Sequence, residues 1–510
     1  MQNDANGAEV HPPVGFFESQ ERAIVGLLCL LAMVHVFVYS AAFPFFNNVD
    51  EANHFDLTVK YSHGHLPGGP ELVSAESMEY IAIFGSQEFL WKTNLLTNGQ
   101  LPPPPWTQSP EVIRRYLSAN ELARQHIVNY ENCQPPLYYA LSGLWWDLGK
   151  GCGFENGRLL YWGRFLNLLL VAALVWVGHA AARTVFPEQV FLRLGVPALL
   201  AFIPQTQFYS IENDVLSPLC FGAAFVCLVQ WWRADAPTVR LGAVTGLTLA
   251  AAYLTKVSNL PLVALSGAVV LFRALCLAKA GKLRAWLPPL GCLAFCALLP
   301  ILGWMAWTKH AFGDFTGSTT KIAILGWTQK PFADWWHHPI FTPHGLWTFL
   351  AGTLATLWQG EFMWHQEPLS FPGVNLVYAV SSMVLTGFAL VNLLPRFKAA
   401  TSAQRQALWL GFLCVCAAVA FLGFVSIIYD FHDCFYPSRD YPYFTSGRLM
   451  LGALVPFLLL VVYGLDRVFG FTKKLWPRWL ALGGMALFML VSEIATDWPV
   501  FSSQYNWFHL

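Results

Sequence analysis

Eleven mostly apolar runs recur along the chain, near 23–43, 162–184, 191–209, 213–232, 240–255, 258–277, 286–307, 374–395, 408–429, 448–465 and 478–496. A helix crossing ~30 Å of hydrocarbon needs about 20 such residues, and inside a bilayer only helices or closed barrels satisfy their own backbone. The sequence therefore reads as an all-α polytopic membrane protein with about 11 transmembrane helices. Composition agrees, since only 12% of the 510 residues are charged and 55% are hydrophobic. Thirty basic and thirty acidic residues cancel, which excludes an electrostatic nucleic-acid binder. Eleven cysteines in a chain this long do not make a disulfide scaffold. Cys133, Cys152 and Cys434 fall outside the apolar runs and leave room for one outer disulfide.

Lys and Arg in the short connections set the orientation. The groups Arg273 to Arg284 and Arg467 to Arg478 mark the inner side and place the N-terminus inside. The first run has an acidic flank and no small-residue cleavage site, so it reads as a retained anchor. The resulting plan is a cytoplasmic tail 1–22, one membrane domain 23–496, and an extracytoplasmic tail 497–510. Two outer segments are long, 44–158 and 309–372. In the first, Glu111 to Tyr130 has the pattern of an amphipathic helix. It is followed by Gln134-Pro135-Pro136-Leu137-Tyr138-Tyr139 and an apolar run ending near Trp146, too short to span and suited to the interface. The second holds six Trp and a half-length apolar run at 346–358. Lys256 and Val257 alone divide the fifth and sixth runs, which form either one bent pair or a hairpin.

Ionisable residues at membrane depth or at span ends are costly and are functional candidates by default. Asp50, Glu51 and His54 follow the first span, and in a helix starting there Asp50 and His54 share a face. Two readings stand side by side. Asp50 caps the helix while Glu51 complements its dipole, or the carboxylates do acid–base or metal chemistry at the outer surface. Arg164, Lys256 and Arg448 lie at the outer ends of different spans. Singly each reads as a snorkelling residue, whereas together they would make an anion site for a lipid phosphate. Asp214, between the third and fourth runs, is either a cap or a site residue. His310, His337, His338, His344 and His365 show no tight metal spacing.

In order, the chain has Asp50-Glu51 with His54, a long outer loop, Pro-Pro-Leu-Tyr-Tyr at 135–139, and Arg164 at a span start. Asn213-Asp214, Thr255-Lys256 and Gly447-Arg448-Leu449 follow. This succession resembles the GT-C glycosyltransferases that use polyprenyl-phosphate sugars, among them protein O-mannosyltransferases and lipid A aminoarabinose transferases. It is most similar to a bacterial group of predicted membrane proteins with the same Asp-Glu-x-x-His signature. The resemblance covers about 22–465 and implies a GT-C-like fold, with a long first extracytoplasmic loop carrying juxtamembrane helices, in a bacterial inner membrane. It implies Asp50 as general base with Glu51 as its neighbour, and Arg164, Lys256 and Arg448 on the donor phosphate. His54, Asp214, Tyr138 and Tyr139 become substrate-binding positions. Where relatives carry a His before the Pro-Pro pair, this chain has Gln134.

The implied reaction is inverting single displacement, passing a sugar from a polyprenyl phosphate to a lipid, glycan or protein acceptor. Activation resides in the phosphate ester, so no nucleotide loop is needed. The reading requires no cofactor, though Asp50, Glu51 and His54 leave room for one divalent cation. The alternatives are a secondary transporter or flippase, which places its site near the midplane and often shows internal repeats, and a catalytically silent scaffold. The charged candidates here gather at span ends on one side, and no repeat appears.

Overall fold

The computed structural model describes residues 16–48, 50–86, 88, 92, 94, 99, 101–119, 126–397, 399–434, 436–472 and 474–506. Helices dominate: α1 Glu21–Ala42, α2 Glu51–Ser62, α3 Ala75–Phe84, α4 Pro110–Ala119, α5 Leu137–Gly151, α6 Asn156–Val185 and α7 Val190–Phe202. They continue as α8 Leu216–Arg233, α9 Val239–Thr255, α10 Leu260–Lys279, α11 Leu283–Phe312, α12 Ser318–Ile324 and α13 Pro343–Gln359. The last four are α14 Pro372–Leu393, α15 Ser402–Ile428, α16 Leu454–Val468 and α17 Trp476–Phe501. Among the described residues strands are limited to two-residue pieces, one pair joining Thr328–Gln329 to Tyr429–Asp430 and the other Met363–Trp364 to Glu367–Pro368. The protein is an all-α polytopic membrane protein.

Each of the eleven apolar runs is helical, but among the described residues eight helices are long and apolar enough to cross a membrane. The other three runs form further apolar helices: α7 has 13 residues, α9 has 17, and α8, with 18, includes Gln230 and Arg233 in its last turn. The chain reverses at Lys256, whose extended backbone (φ −156°, ψ 131°) separates α9 from a short 3-10 turn that leads into α10. The hairpin is therefore the observed alternative.

Two helices organise the packing. The Gly447–Val468 span is 94% buried in its most apolar window, against 33% for the first span, so it forms the central pillar. α9 packs closely on α11 because Gly242 and Gly246, one turn apart, face the backbone of Pro289 and Leu293, where a side chain would collide. This small-residue spacing lets membrane helices approach at backbone distance. Large apolar side chains on the outer faces, such as Leu27, Leu30, Phe295 and Leu487, remain exposed, as expected where lipid is the solvent.

The long segment after α1 docks by polar contacts. Asp56 and Lys60 of α2 form a buried pair at 2.9 Å, Asn129 donates to Asp56 at 2.8 Å, and Thr58 meets Ser142 of α5 at 2.9 Å. The helix expected over Glu111 to Tyr130 is shorter: α4 ends at Ala119, and residues 120–125 lie outside the described residues. From His126 the chain is not helical, because Leu72 and Val128 pair as an antiparallel bridge and Val73 donates to the carbonyl of Ile127. All eleven cysteines are free, so Cys133, Cys152 and Cys434 form no disulfide.

Candidate active site

Asp50 occupies the N-cap position of α2, yet its carboxylate makes no cap hydrogen bond. It turns instead toward residues far along the chain. Oδ1 accepts from the Tyr130 hydroxyl at 2.6 Å, and Oδ2 pairs with the Arg448 guanidinium. Arg448 sits in the 3-10 turn Gly447–Ala453 that opens the central span. Gly447 is required there because a Cβ would collide with the backbone of Leu357. The same guanidinium lies 3.5 Å from Glu212, 3.6 Å from Asp214 and 3.3 Å from Glu361. Asp214 in turn pairs with Lys256, and Lys321 pairs with Glu131. Asp214 is no cap either, since Val215 holds that position for α8.

His54 stands one turn beyond Asp50, with Nδ1 2.6 Å from the Tyr139 hydroxyl. Tyr138 is buried beside Tyr139, the rings 5.5 Å apart, and neither reaches the surface. Gln134 donates to Glu131 at 2.6 Å and accepts from Asn213 at 3.3 Å, so it ties the first loop to the turn that carries Asp214. Lys321, Arg448 and Glu361 are the more exposed members, their side chains keeping 29%, 16% and 15% of their exposure, while Glu212, Asp214 and Glu131 keep at most 4%.

Five carboxylates (Asp50, Glu131, Glu212, Asp214, Glu361) thus face three cations (Lys256, Lys321, Arg448). Burial opposes ionisation of Asp50, but Arg448 and Lys321 outweigh it and hold the carboxyl below its usual range. Glu212 lacks comparable compensation: burial pushes it up to about 7 against the pull of Arg448. Burial and the Arg448 charge bring Lys256 down to about 7. Burial also brings His54 down to about 4, leaving its imidazole neutral at physiological pH. Glu361 is raised by burial, and its Oε1 has no hydrogen-bond partner among the described residues.

Arg164 and Glu51 are placed differently from expectation. The Arg164 Nε and Nη2 grip Glu51 at 2.8 and 2.7 Å, and its remaining N–H groups donate to the carbonyls of Ser40 (3.2 Å), Phe43 (2.5 Å) and Pro44 (2.8 Å). Glu51 also accepts from the backbone N–H of Phe46 at 2.9 Å and of Ile211 at 3.1 Å. Both side chains are fully buried. All five donors of Arg164 are engaged, which leaves none for a donor phosphate. This pair instead holds the turn after α1 against the Ile211 loop.

The residues that could hold a metal ion also shift. Asp50, His54 and Glu131 offer ligand atoms within 4.8 Å of one another, so Glu131 stands where Glu51 was expected. Two carboxylates and a neutral imidazole are a donor set suited to a borderline divalent ion.

A family model described as "Predicted membrane protein (DUF2142)" matches residues 31–429. The chain belongs to this family. A comparison with curated proteins finds no match. Among solved structures, the chain is similar to an oligosaccharyltransferase of Archaeoglobus fulgidus solved with Zn and sulfate. The two are 12% identical with a TM-score of 0.37, over 94% of this chain and 52% of that one. It is also similar to the oligosaccharyltransferase AglB from Archaeoglobus fulgidus, in complex with an inhibitory peptide and a dolichol-phosphate. Here the identity is 12% and the TM-score 0.40, over 96% of this chain and 56% of that one. This DUF2142 member therefore spans about half the length of those solved chains.

Tyr130, Glu131, Lys321 and Glu361 join the cluster without a motif that marks them in the sequence, and Glu212 stands there only as a neighbour of Asp214. Glu131 carried a usable signal, since it sits in the polar run just before Pro135-Pro136. Lys321 and Glu361 carried none, being isolated charges in the Trp-rich outer segment.

Proposed function

We propose that this protein is an integral membrane glycosyltransferase that moves a sugar from a polyprenyl-phosphate donor to a lipid, glycan or protein acceptor at the extracytoplasmic face. The observation that carries the reading is the meeting of Asp50, Asp214, Lys256 and Arg448, drawn from four distant segments, in one cluster at the ends of the spans. Arg448 is shared among four carboxylates, so an arriving phosphodiester donor offers it a further anionic partner, and the phosphate monoester that departs gains a second negative charge beside it. Lys256, positioned by Asp214, adds a second cation. Together they would stabilise charge growing on the departing phosphate.

The pairing with Arg448 also makes Asp50 a weak base at rest. Once a donor phosphate draws Arg448 away, the carboxylate loses its strongest neutralising neighbour and regains proton affinity. Base activation is thereby coupled to donor binding. In the step itself the acceptor oxygen bonds to the anomeric carbon and the bond from that carbon to the phosphate oxygen breaks. Its electron pair stays on the lipid phosphate, the hydroxyl proton passes to Asp50, and the anomeric carbon inverts. Tyr139 orients His54 beside this carboxylate, and Glu51 with Arg164 fixes the turn that carries it. Asp50, His54 and Glu131 are the residues that would hold a divalent ion, which would supply added electrophilic stabilisation of phosphate.

The test is sugar transfer from a radiolabelled polyprenyl-phosphate donor by the purified protein in liposomes. Asp50→Asn should abolish transfer while leaving the protein folded, and unchanged transfer by a folded variant would remove Asp50 as the base. A transporter reading draws on one observation: Glu493 and Asp497 are buried within the spans, and the half-buried His35 lies 2.8 Å from Glu493. Substrate movement across proteoliposomes without any transfer would favour it.

A further inference from the structure

The ends of the spans opposite the cluster hold a second feature that transfer chemistry does not use. α8 begins beside Asp214 and ends at Arg233, so its 18 residues carry the chain ~27 Å away from the candidate active site. There a pocket of about 360 Å³ opens between α8, α10 and the start of α15. Its walls are apolar, with Val229, Val269, Leu410 and Leu413 among them, and two arginines line it, Arg233 and Arg405. Among the described residues no carboxylate lines the pocket.

The arginines are short of acceptors. Arg233 spends Nη1 on the carbonyl of Thr184, while its buried Nε and Nη2 have no hydrogen-bond partner. The Nε of Arg405 is likewise buried without one, and its Nη2 reaches only the Ala400 carbonyl at 3.5 Å. A third guanidinium stands behind them: Arg273 of α10 packs 5.5 Å from the Trp232 ring and 5.2 Å from the Trp286 ring, its Nε also unpartnered. Buried donors left without acceptors are costly, and three of these residues on three different helices share one neighbourhood.

We infer that this pocket binds the headgroup of an anionic phospholipid, its phosphate between Arg233 and Arg405 and its acyl chains along the apolar wall. The guanidinium forks suit phosphate oxygens. The apolar lining is what separates a lipid phosphate from a free one. Basic pockets between spans are a recurring way for membrane proteins to hold anionic lipid. The assignment is independent of the reaction proposed above, because it uses no residue of the outer cluster.

Native mass spectrometry of the full-length protein, released from detergent with phosphatidylglycerol or with phosphatidylcholine, tests it. Phosphatidylglycerol should bind the wild type at least about fivefold more tightly than phosphatidylcholine, the equivalent of one arginine at an anionic surface. Arg405→Gln should remove that preference. Leu413→Trp, which fills the pocket without touching a charge, should lower binding of both lipids and decides the matter alone if the arginine variant fails to fold. Equal binding of the two lipids by wild type would overturn the inference. So would lipid retention by the Leu413→Trp variant, or displacement of the lipid by inorganic phosphate at matching concentration.

Discussion

Replacing Glu51 with Ala removes one partner of a pair whose other member, Arg164, is wholly enclosed. Breaking a buried ion pair from one side costs roughly 3–5 kcal/mol, because the remaining charge has no water to receive it. Two backbone donors, Phe46 N–H and Ile211 N–H, lose their acceptor at the same time. Each orphaned buried donor adds roughly 1–3 kcal/mol. Arg164 keeps its three carbonyl acceptors, which softens the loss. The expected net is about 5 kcal/mol of destabilisation, which is comparable to the whole stability of many proteins. Glu51→Gln retains part of the hydrogen bonding and should cost about half as much. Pairing Glu51→Leu with Arg164→Met removes the unpaired charge but leaves the two N–H groups and the three carbonyls without partners, so the double variant should remain destabilised. The assay is survival of the monodisperse peak after heating in mild detergent, read alongside sugar transfer. Glu51→Ala as heat-stable as wild type would refute the structural role of this pair.

Arg448→Gln should abolish measurable transfer and weaken donor binding, whereas Lys256→Gln should lose less; equal donor affinity in wild type and the Arg448 variant would contradict the phosphate role. Burial pushes the Glu212 carboxyl up to about 7 in the folded protein, so the folded state binds the extra proton. Its contribution to stability is therefore fullest below about pH 4.5 and is lost as pH rises to about 7. Heat stability of Glu212→Gln should be flatter than wild type across that window, and parallel curves would exclude the effect. Chelation should leave transfer largely intact, because in the proposed reaction Arg448 and Lys256 supply the positive charge for the phosphate. Loss with chelator and recovery with Mn²⁺ would make the ion at Asp50, His54 and Glu131 essential. Gly246→Val should destabilise by about 1–3 kcal/mol through collision with Leu293, with unchanged heat stability counting against the close α9–α11 contact.

The helices were legible because an apolar run is a local property: every run of the sequence is helical in the structure. Which runs are long enough to cross was less so, since the ends of α7 and α8 are set by the buried turn between them, where Asn167 holds the carbonyls of Phe208 and Ser210 at 2.8 and 2.6 Å. The candidate residues of the site were visible as charges against the grain of the membrane. Their partners were not. Asp50 meets Arg448 across 398 residues and Glu131 meets Lys321 across 190, separations that no periodicity records. Neighbours in sequence also parted company, with Asp50 facing the cluster and Glu51 turned to Arg164. The α2 backbone dictates this, because successive helical residues point about 100° apart.

The most direct measurement is a structure of the full-length protein in a lipid nanodisc with a polyprenyl phosphate bound. The account predicts the phosphate against Arg448 and Lys256, with Asp50 released from Arg448 and facing the space where an acceptor hydroxyl would enter. A phosphate seated away from these two cations, or one that leaves the Asp50–Arg448 pair intact, would contradict it.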